Sequence, residues 1–427
     1  MKYIFTWFVF TGLLFASSLE EIVSLAIVQS TVLKQAKTEV AIAKLKSKES
    51  QANRFGEFNA LVDATHYNIE RTLAPLVPSA IASGTVITTS DTIYSAGVAY
   101  NVPLFTGFSQ TRDIEISAIA MEMAEAKVKL SKEQIIYNVR SLYLSILAQK
   151  SILKAQKSYT QSLEKLTDQI AYAVEVGKKA KVELLKSRAE YQASLTKEAV
   201  LYSAIKTTKA ALSALVGADV SRVEPIMIEV KNIQVKEESF LSGLERVHVE
   251  DMAILKADKM ISKSAGASLP QVNLNSYLGK NYGEDVARSE WDDETLWQVG
   301  VNVRYNLLDF GKRSVLKERA KVAKMQAVLH KEQTLLDIKK QGVQALAMID
   351  QRVAEYTGNS AQLALSLQSK EIEQVRYESG VSTLNDFLLA QSQYEMVMSK
   401  VIESRYNYQK SVYYLEYVLE KGLRDEK

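Results

Sequence analysis

The sequence predicts a mostly α-helical chain with four β-strands, arranged as two structural repeats. Each repeat is a strand hairpin followed by a pair of long antiparallel coiled-coil helices. Three observations predict this. Gly and Pro are scarce, 17 and 5 of 427 residues, or about 4% and 1% against ordinary usage of about 7% and 5%. Two regions of strict alternation are each followed by long stretches of helical period. Landmarks in the two halves recur at a constant offset.

The prolines are Pro75, Pro78, Pro103, Pro225 and Pro270, so residues 104–224 and 271–427 contain none. An interior proline would break a helical ladder, and these stretches are free to form very long helices. Cysteine is absent, which excludes disulfides, zinc–thiolate sites, iron–sulfur clusters, thiol nucleophiles and a lipid-modified N-terminal Cys. Lys and Arg number 53 against 50 Asp and Glu, a formal charge of +3. A balance so even argues against nucleic acid as a partner.

The chain opens with Met1-Lys2, an apolar run from Tyr3 to Phe15, and Ala16-Ser17-Ser18. A charged start, an apolar core and a small-residue site are the parts of a secretory signal, expected over 1–18. No later run of eighteen apolar residues exists, so no transmembrane helix is expected in the mature chain.

The first repeat is expected over 19–217. Ile22, Leu25, Ala26, Val32, Leu33, Ala36, Val40 and Ala43 keep helical spacing in a helix over 19–56. A strand hairpin follows over 57–104, with Tyr94, Ala96, Val98, Tyr100, Val102 and Leu104 on one face of its second strand and a loop over 71–91. Coiled-coil helices are expected over 112–174 and 182–215, the first being 63 residues or a rod of roughly 95 Å. A linker over 218–238 joins the halves, with Ile226, Ile228 and Val230 alternating.

The second repeat, 239–422, has a helix over 239–265, a strand hairpin over 270–308, and coiled-coil helices over 312–377 and 383–420; a tail over 423–427 follows. Its clearest strand sets Trp297, Val299, Val301, Val303, Tyr305 and Leu307 against Gln298, Gly300, Asn302, Arg304 and Asn306, after a charged loop from Gly283 to Glu294. In the last helix Phe387, Gln391, Tyr394, Met398, Val401, Arg405, Tyr408, Val412, Leu415 and Leu419 step 4, 3, 4, 3, the seam of a coiled coil. Ile135, Val139, Leu142, Ile146 and Leu153 show the same seam earlier. Gly177 and Gly380 lie 203 residues apart, and at that offset Glu115 meets Glu318, Ile135 meets Ile338, Ile146 meets Ile349, Glu175 meets Glu378 and Tyr191 meets Tyr394. An internal duplication accounts for this.

An apolar strand face opposite a face of amides and arginine fits either a sandwich with one wet side or a barrel with lipid outside and water inside. Tyr100, Tyr277, Tyr282, Trp291, Trp297 and Tyr305 suit membrane-interface positions, and suit strands in general. Four strands cannot close a barrel, and an open edge in lipid leaves backbone groups unsatisfied at several kcal/mol each. Several chains would have to pool strands, two giving eight and three giving twelve with a lumen.

The strand-to-helix junctions Val102-Pro103-Leu104-Phe105-Thr106-Gly107-Phe108 and Leu307-Leu308-Asp309-Phe310-Gly311, with the turns Glu175-Val176-Gly177 and Arg376 to Asp386 around Gly380, resemble those of the TolC-like outer-membrane efflux proteins. The resemblance covers nearly the whole mature chain. It implies a homotrimer in outer-membrane lipid, a twelve-stranded β-barrel on a helical barrel in the periplasm. It also implies an exit duct for small molecules or proteins in a tripartite efflux or type I secretion machine, opened at its periplasmic tip by an adaptor protein and energised by an inner-membrane transporter. Gly177 and Gly380 are then the tip turns that the adaptor grips. Asp386 matches an aspartate that narrows the entrance, and Glu183 and Tyr377 match a carboxylate and a tyrosine of the tip's closing bonds. Leu389 stands where some members carry a second narrowing aspartate, and Ser382 where an arginine bonds across the tip, so any latch here must differ. Three copies of Glu183 and Asp386 would bring six carboxylates to one constriction, where like charges attract cations.

Two rival readings compete. Residues 310–313, Phe-Gly-Lys-Arg, lack the earlier glycine of a phosphate loop, no His-Glu-x-x-His occurs, and His66, His248 and His330 are scattered, so neither an enzyme nor a cofactor or metal site is expected. A soluble periplasmic coiled-coil scaffold or adaptor is the alternative; two hairpin-plus-coil units favour the duct.

Overall fold

The computed structural model describes residues 18–84, 87–220, 222–233, 240–241 and 243–422. The expected signal segment and tail therefore lie outside the described residues, save Ser18 at one end, and the linker is described in part. The elements run α1 (Leu19–Gln29), α2 (Thr31–Ala52), β1 (Glu57–Thr72), α3 (Pro78–Ser83), β2 (Thr89–Phe105), α4 (Ser109–Glu175), α5 (Lys181–Val216), α6 (Glu245–Gly266), β3 (Gln271–Glu284), β4 (Trp291–Arg304), α7 (Lys312–Glu378) and α8 (Leu384–Val418). Two compact units divide the described residues, one within 18–38, 126–248 and 332–422, the other within 39–125 and 249–331.

The second unit holds one antiparallel sheet in the order β1-β2-β3-β4. Its register sorts the side chains. Phe58, Tyr100, Ser276 and Val299 share one row, and Ala60, Val98, Leu278 and Trp297 the next, on one face. Asn59, Ala99, Tyr277 and Gln298, then Asp63, Ser95, Asn281 and Glu294, occupy rows of the other face. Because strand side chains alternate, this one register puts the apolar set on one side and the amide and acid set on the other. The apolar face is bare: Val62 is 87% exposed and Trp297 74%. Aromatic pairs stand at its two ends, Phe58 against Tyr100 with ring centroids 6.1 Å apart and Tyr94 against Trp291 at 5.6 Å.

Several boundaries differ from the sequence expectation, each for a local reason. The charged stretch before Trp297 is strand from Trp291, because Asp285 tightens the turn: its carboxylate accepts the Ala287 and Arg288 N–H groups at 3.0 and 2.9 Å. β4 stops at Arg304, paired with Gln271; the next partner would be Pro270, which has no N–H to continue the ladder. The expected loop over 71–91 contains α3, which starts on Pro78, a residue preorganised for a first helical position. The helix expected over 19–56 breaks at Ser30, whose ψ of 127° is not helical.

The strand-to-helix junctions repeat at bond level. Gly107 and Phe108 both have positive φ (63° and 64°), as do Phe310 and Gly311 (52° and 92°). The glycine thus changes place within the pair while the backbone path is kept, at the price of a phenylalanine in the left-handed region in each copy. The Thr106 hydroxyl accepts the Gln110 N–H at 3.3 Å, and the Asp309 carboxylate accepts the Arg313 N–H at 3.0 Å, the same cap 203 residues on.

In the first unit the core joins Ile22 and Ala26 of α1, Val139, Tyr143 and Ile146 of α4, and Leu212 and Val216 of α5, all fully buried. A second cluster gathers Phe240, Ala345, Ile349, Tyr408 and Leu415. Residues 222–233 carry no regular structure and bridge the two clusters, Ile226 packing on the first, Val230 on the second and Ile228 on both. Two tyrosines hold this segment. The Tyr143 hydroxyl donates to the Glu224 carbonyl at 2.8 Å and accepts its N–H at 2.9 Å. Tyr408 does the same for Lys231, at 2.8 and 3.1 Å.

α6 begins at Glu245 rather than at 239 because its cap comes from elsewhere. The Glu420 carboxylate accepts the Glu245 and Arg246 N–H groups and the Arg246 guanidinium, the last at 2.9 Å. The seam of α8 is doubled. Beside Phe387, Gln391, Tyr408 and Leu415, a second line of Val397, Ser404, Ser411 and Val418 is buried at strict seven-residue spacing.

Candidate functional site: the paired helix turns

The helical hairpins α4–α5 and α7–α8 end in two turns built alike. Gly177 and Gly380 have φ of 76° and 74°, and a Cβ on either would meet open space. Gly177 N–H donates to Val174 O at 3.1 Å, and Gly380 N–H to Tyr377 O at 3.1 Å. Lys178 and Lys179 both donate to Ala173 O (2.7 and 3.2 Å), and Val381 and Ser382 both donate to Arg376 O (2.8 and 3.2 Å). Glycine is required here for its left-handed conformation and not for space, so both turns close on the last helical carbonyls.

The two N-termini that follow differ. Ala180 precedes α5 with no side-chain cap. Thr383 precedes α8 in a full capping box: its hydroxyl accepts the Asp386 N–H at 3.2 Å, and the Asp386 carboxylate accepts the Thr383 N–H at 3.1 Å and its hydroxyl at 2.7 Å. These bonds, from the Thr383 side chain first and its backbone second, hold the Asp386 carboxyl below the ordinary carboxylate range.

Of the residues singled out from the sequence, the fold brings Glu183 and Tyr377 together and leaves Asp386 apart from them. The Tyr377 hydroxyl donates to the Glu183 carboxylate at 3.2 Å. Lys179, which sequence reasoning missed, completes the group: its ammonium lies 3.0 Å from Glu183 and donates to the Tyr377 hydroxyl. The signal that could have found it is spacing, since Lys179 and Glu183 are i and i+4 across the start of α5. Burial by itself would lower the Lys179 pKa, but the bonds to Tyr377 and Glu183 outweigh it and raise it. Burial pushes the Tyr377 phenol up. The Tyr377 ring stacks on Phe387 at 5.6 Å and 8°, over a cluster of Ile170, Leu384 and Phe387 that welds the hairpins beneath the polar group. Ser382, at the position of the missing arginine, has a buried hydroxyl without a partner, and Leu389 is 66% exposed.

No helix among the described residues is long and apolar enough to cross a membrane, and no group of three or more His, Asp or Glu among them is placed to hold a metal ion. The chemistry on offer is a non-covalent tie between two hairpins together with a sheet that has one apolar face.

Comparison with solved structures finds the same fold in a membrane protein from Pseudomonas aeruginosa (TM-score 0.80, 16% identity, 94% of this chain and 91% of that one). The Campylobacter jejuni CmeC outer membrane channel matches equally well (TM-score 0.80, 16% identity, 95% and 86%). The Vibrio cholerae outer membrane protein VceC matches with TM-score 0.76 at 15% identity, over 94% and 96%. No curated protein sequence matches the chain. The model of the outer membrane efflux protein family matches residues 22–218 and 253–419. The junctions and turns of both repeats fall inside that match, and the chain belongs to the outer membrane efflux protein family: it is an outer-membrane channel protein and not an enzyme.

Proposed function

We propose that three copies of the chain pool their four-stranded sheets into a twelve-stranded barrel and their hairpins into a periplasmic tunnel, forming the exit duct of a tripartite efflux or type I secretion machine. The observation that carries this is the sheet. Among the described residues β1 and β4 each pair on one side only, and the outward face is apolar over a length able to cross a bilayer. An open edge in lipid is costly enough to demand a neighbour, and three chains leave a lumen where two would fill it with side chains. The amide and acid rows then line water, and the aromatic pairs at both ends of the apolar face sit at the interfaces.

In this reading the turns at Gly177 and Gly380 are the periplasmic tip, gripped by an adaptor protein that works with an inner-membrane transporter. Glu183 and Tyr377 close the tip, Lys179 supplies the cation in place of the arginine absent at Ser382, and Asp386 lines the entrance. The test is the mass of the protein extracted from outer membranes in mild detergent, followed by conductance in planar bilayers. A trimer that needs detergent and conducts supports the duct. A monomer or dimer soluble without detergent overturns it in favour of a coiled-coil scaffold.

A further inference from the structure

The polar face of the sheet is covered at one end. The row Thr65, Ile93, Gly283 and Asp292 lies two residues along each strand from Asp63, Ser95, Asn281 and Glu294, and so belongs to the same face. The segment between β1 and β2 stands on that face with both of its feet. At one foot the Leu73 carbonyl accepts the Asn281 side-chain amide at 2.7 Å. The Leu73 side chain there lies so close to Gly283 that a Cβ on the glycine would meet it at 2.9 Å. At the other foot the Thr88 hydroxyl donates to the Asp292 carboxylate at 2.5 Å and accepts from the Arg288 guanidinium at 3.1 Å. Leu73, Thr88 and Ile93 are all buried, while the opposite face of the same strands is bare.

What the feet carry is apolar. No charged residue and no histidine lies between Arg71 and Asp91. Leu76 and Val77 lead into α3 and Ile81 sits on it, and the three are 51%, 52% and 62% exposed. Pro75 and Pro78 fix φ on either side of Leu76 and Val77 and stiffen the approach. Clustered aliphatic side chains in a segment without charge mark a contact rather than a solvated loop. Lipid is a poor occupant, because the sheet stands between the feet of this segment and the apolar face that lipid would cover.

We propose that the segments Leu73–Ser83 of three copies fold inward over the lumen and meet through Leu76, Val77 and Ile81. They form an apolar constriction at the end of the barrel away from the strand-to-helix junctions, one that selects what leaves. A narrow apolar ring dewets, so it holds back ions and charged solutes more than neutral solutes of the same size. Small apolar or amphipathic solutes pass, and a charged polypeptide passes only by pushing the segments aside. The inference rests on the pooled barrel proposed above and adds the class of solute that the barrel favours.

The chain has no cysteine, so one introduced thiol reports on one place. In outer membranes carrying the full-length protein, a short bifunctional maleimide should link Ile81→Cys chain to chain. Val62→Cys, on the bare apolar face, should be labelled by a monofunctional maleimide but not linked. Access is read on intact cells at Gln298→Cys, on the polar face, with a neutral and a charged maleimide of equal size. The pulse is kept too short to label Leu389→Cys beside the helix turns, so that reagent arrives only from the loop side. The neutral reagent should react about tenfold faster than the charged one, and Leu76→Asn with Ile81→Asn should erase the difference by speeding the charged one. Ile81→Cys chains that are labelled but never linked overturn the meeting of the segments. Equal rates for the two reagents beneath the native segment overturn the selective constriction. The cross-link leaves the polarity of Leu76 and Val77 untouched and decides the matter if the double variant fails to assemble. The barrel is judged separately by mass in detergent: a trimer without links spares the duct and removes the constriction, and a monomer removes both.

Discussion

The Tyr377 phenol donates to the Glu183 carboxylate at 3.2 Å, a bond between two helix turns 194 residues apart in the chain. Lys179 sits against both partners, so the tie is a three-member group in which each hydrogen bond involves a charge, and such bonds are stronger than neutral ones.

If this group holds the tip closed, Lys179→Ala and Tyr377→Phe each raise single-channel conductance, while Lys179→Arg leaves it low. The pH dependence has a definite sign. Lys179 is raised above its ordinary value of 10.5, so its contribution is complete below that value and is lost as pH rises through the higher folded value. Conductance should therefore climb only at pH above 10.5, and Lys179→Arg should remove the climb. Unchanged conductance in Lys179→Ala would show that the group ties the hairpins without gating them.

Asp386 titrates the other way. Its folded pKa is depressed, so its charge and cap persist through the range where a free carboxyl, near 3.8, begins to protonate, and are lost only as pH falls through the lower folded value. Asp386→Asn should weaken block of the channel by divalent cations at neutral pH. Unchanged block would leave Asp386 with its helix cap alone.

Gly177→Ala and Gly380→Ala each force a Cβ into the left-handed region at a cost of about 1 kcal/mol, with no clash, since the space around both is open. Export should fall more than expression or assembly. Equal loss of export and of assembled protein, measured on the same membranes, would assign the glycines to folding.

Tyr143→Phe and Tyr408→Phe each strip a backbone N–H and a carbonyl of the bridging segment of their partner. Unpaired groups of this kind cost about 1–3 kcal/mol each. Hydrogen exchange at Glu224 should quicken in the first variant and at Lys231 in the second, each without the other, if the tyrosines act as separate hooks.

Glu420→Gln removes the charge that caps α6 and binds Arg246, with the Glu420 side chain only 6% exposed. Hydrogen bonds to a charged group contribute about 1.5–3 kcal/mol, and Arg246, 22% exposed, keeps its bonds to Gln341 and to the Val418 carbonyl. Proteolysis should then begin at the start of α6, near Glu245, before any other helix terminus; an unchanged cleavage order would mean that the packing of Phe240 suffices to hold it.

Local pattern determined a great deal of this protein. Periods of 2 and 3.5 placed the hairpins and long helices, because side-chain direction follows backbone period directly, and the 203-residue offset found two turns that share the same bonds. Glycine at 177 and 380 was legible because only a left-handed turn needs it there. The tertiary structure decided what lies between distant segments: that Lys179 joins Tyr377 and Glu183, that Asp386 turns into its own helix, that Glu420 caps α6, and that a second line through Ser404 and Ser411 is buried in α8. Sequence period registers which face of a helix is apolar. It carries no record of which distant polar group will meet another, since that depends on the packing of separate hairpins and on the desolvation that packing brings.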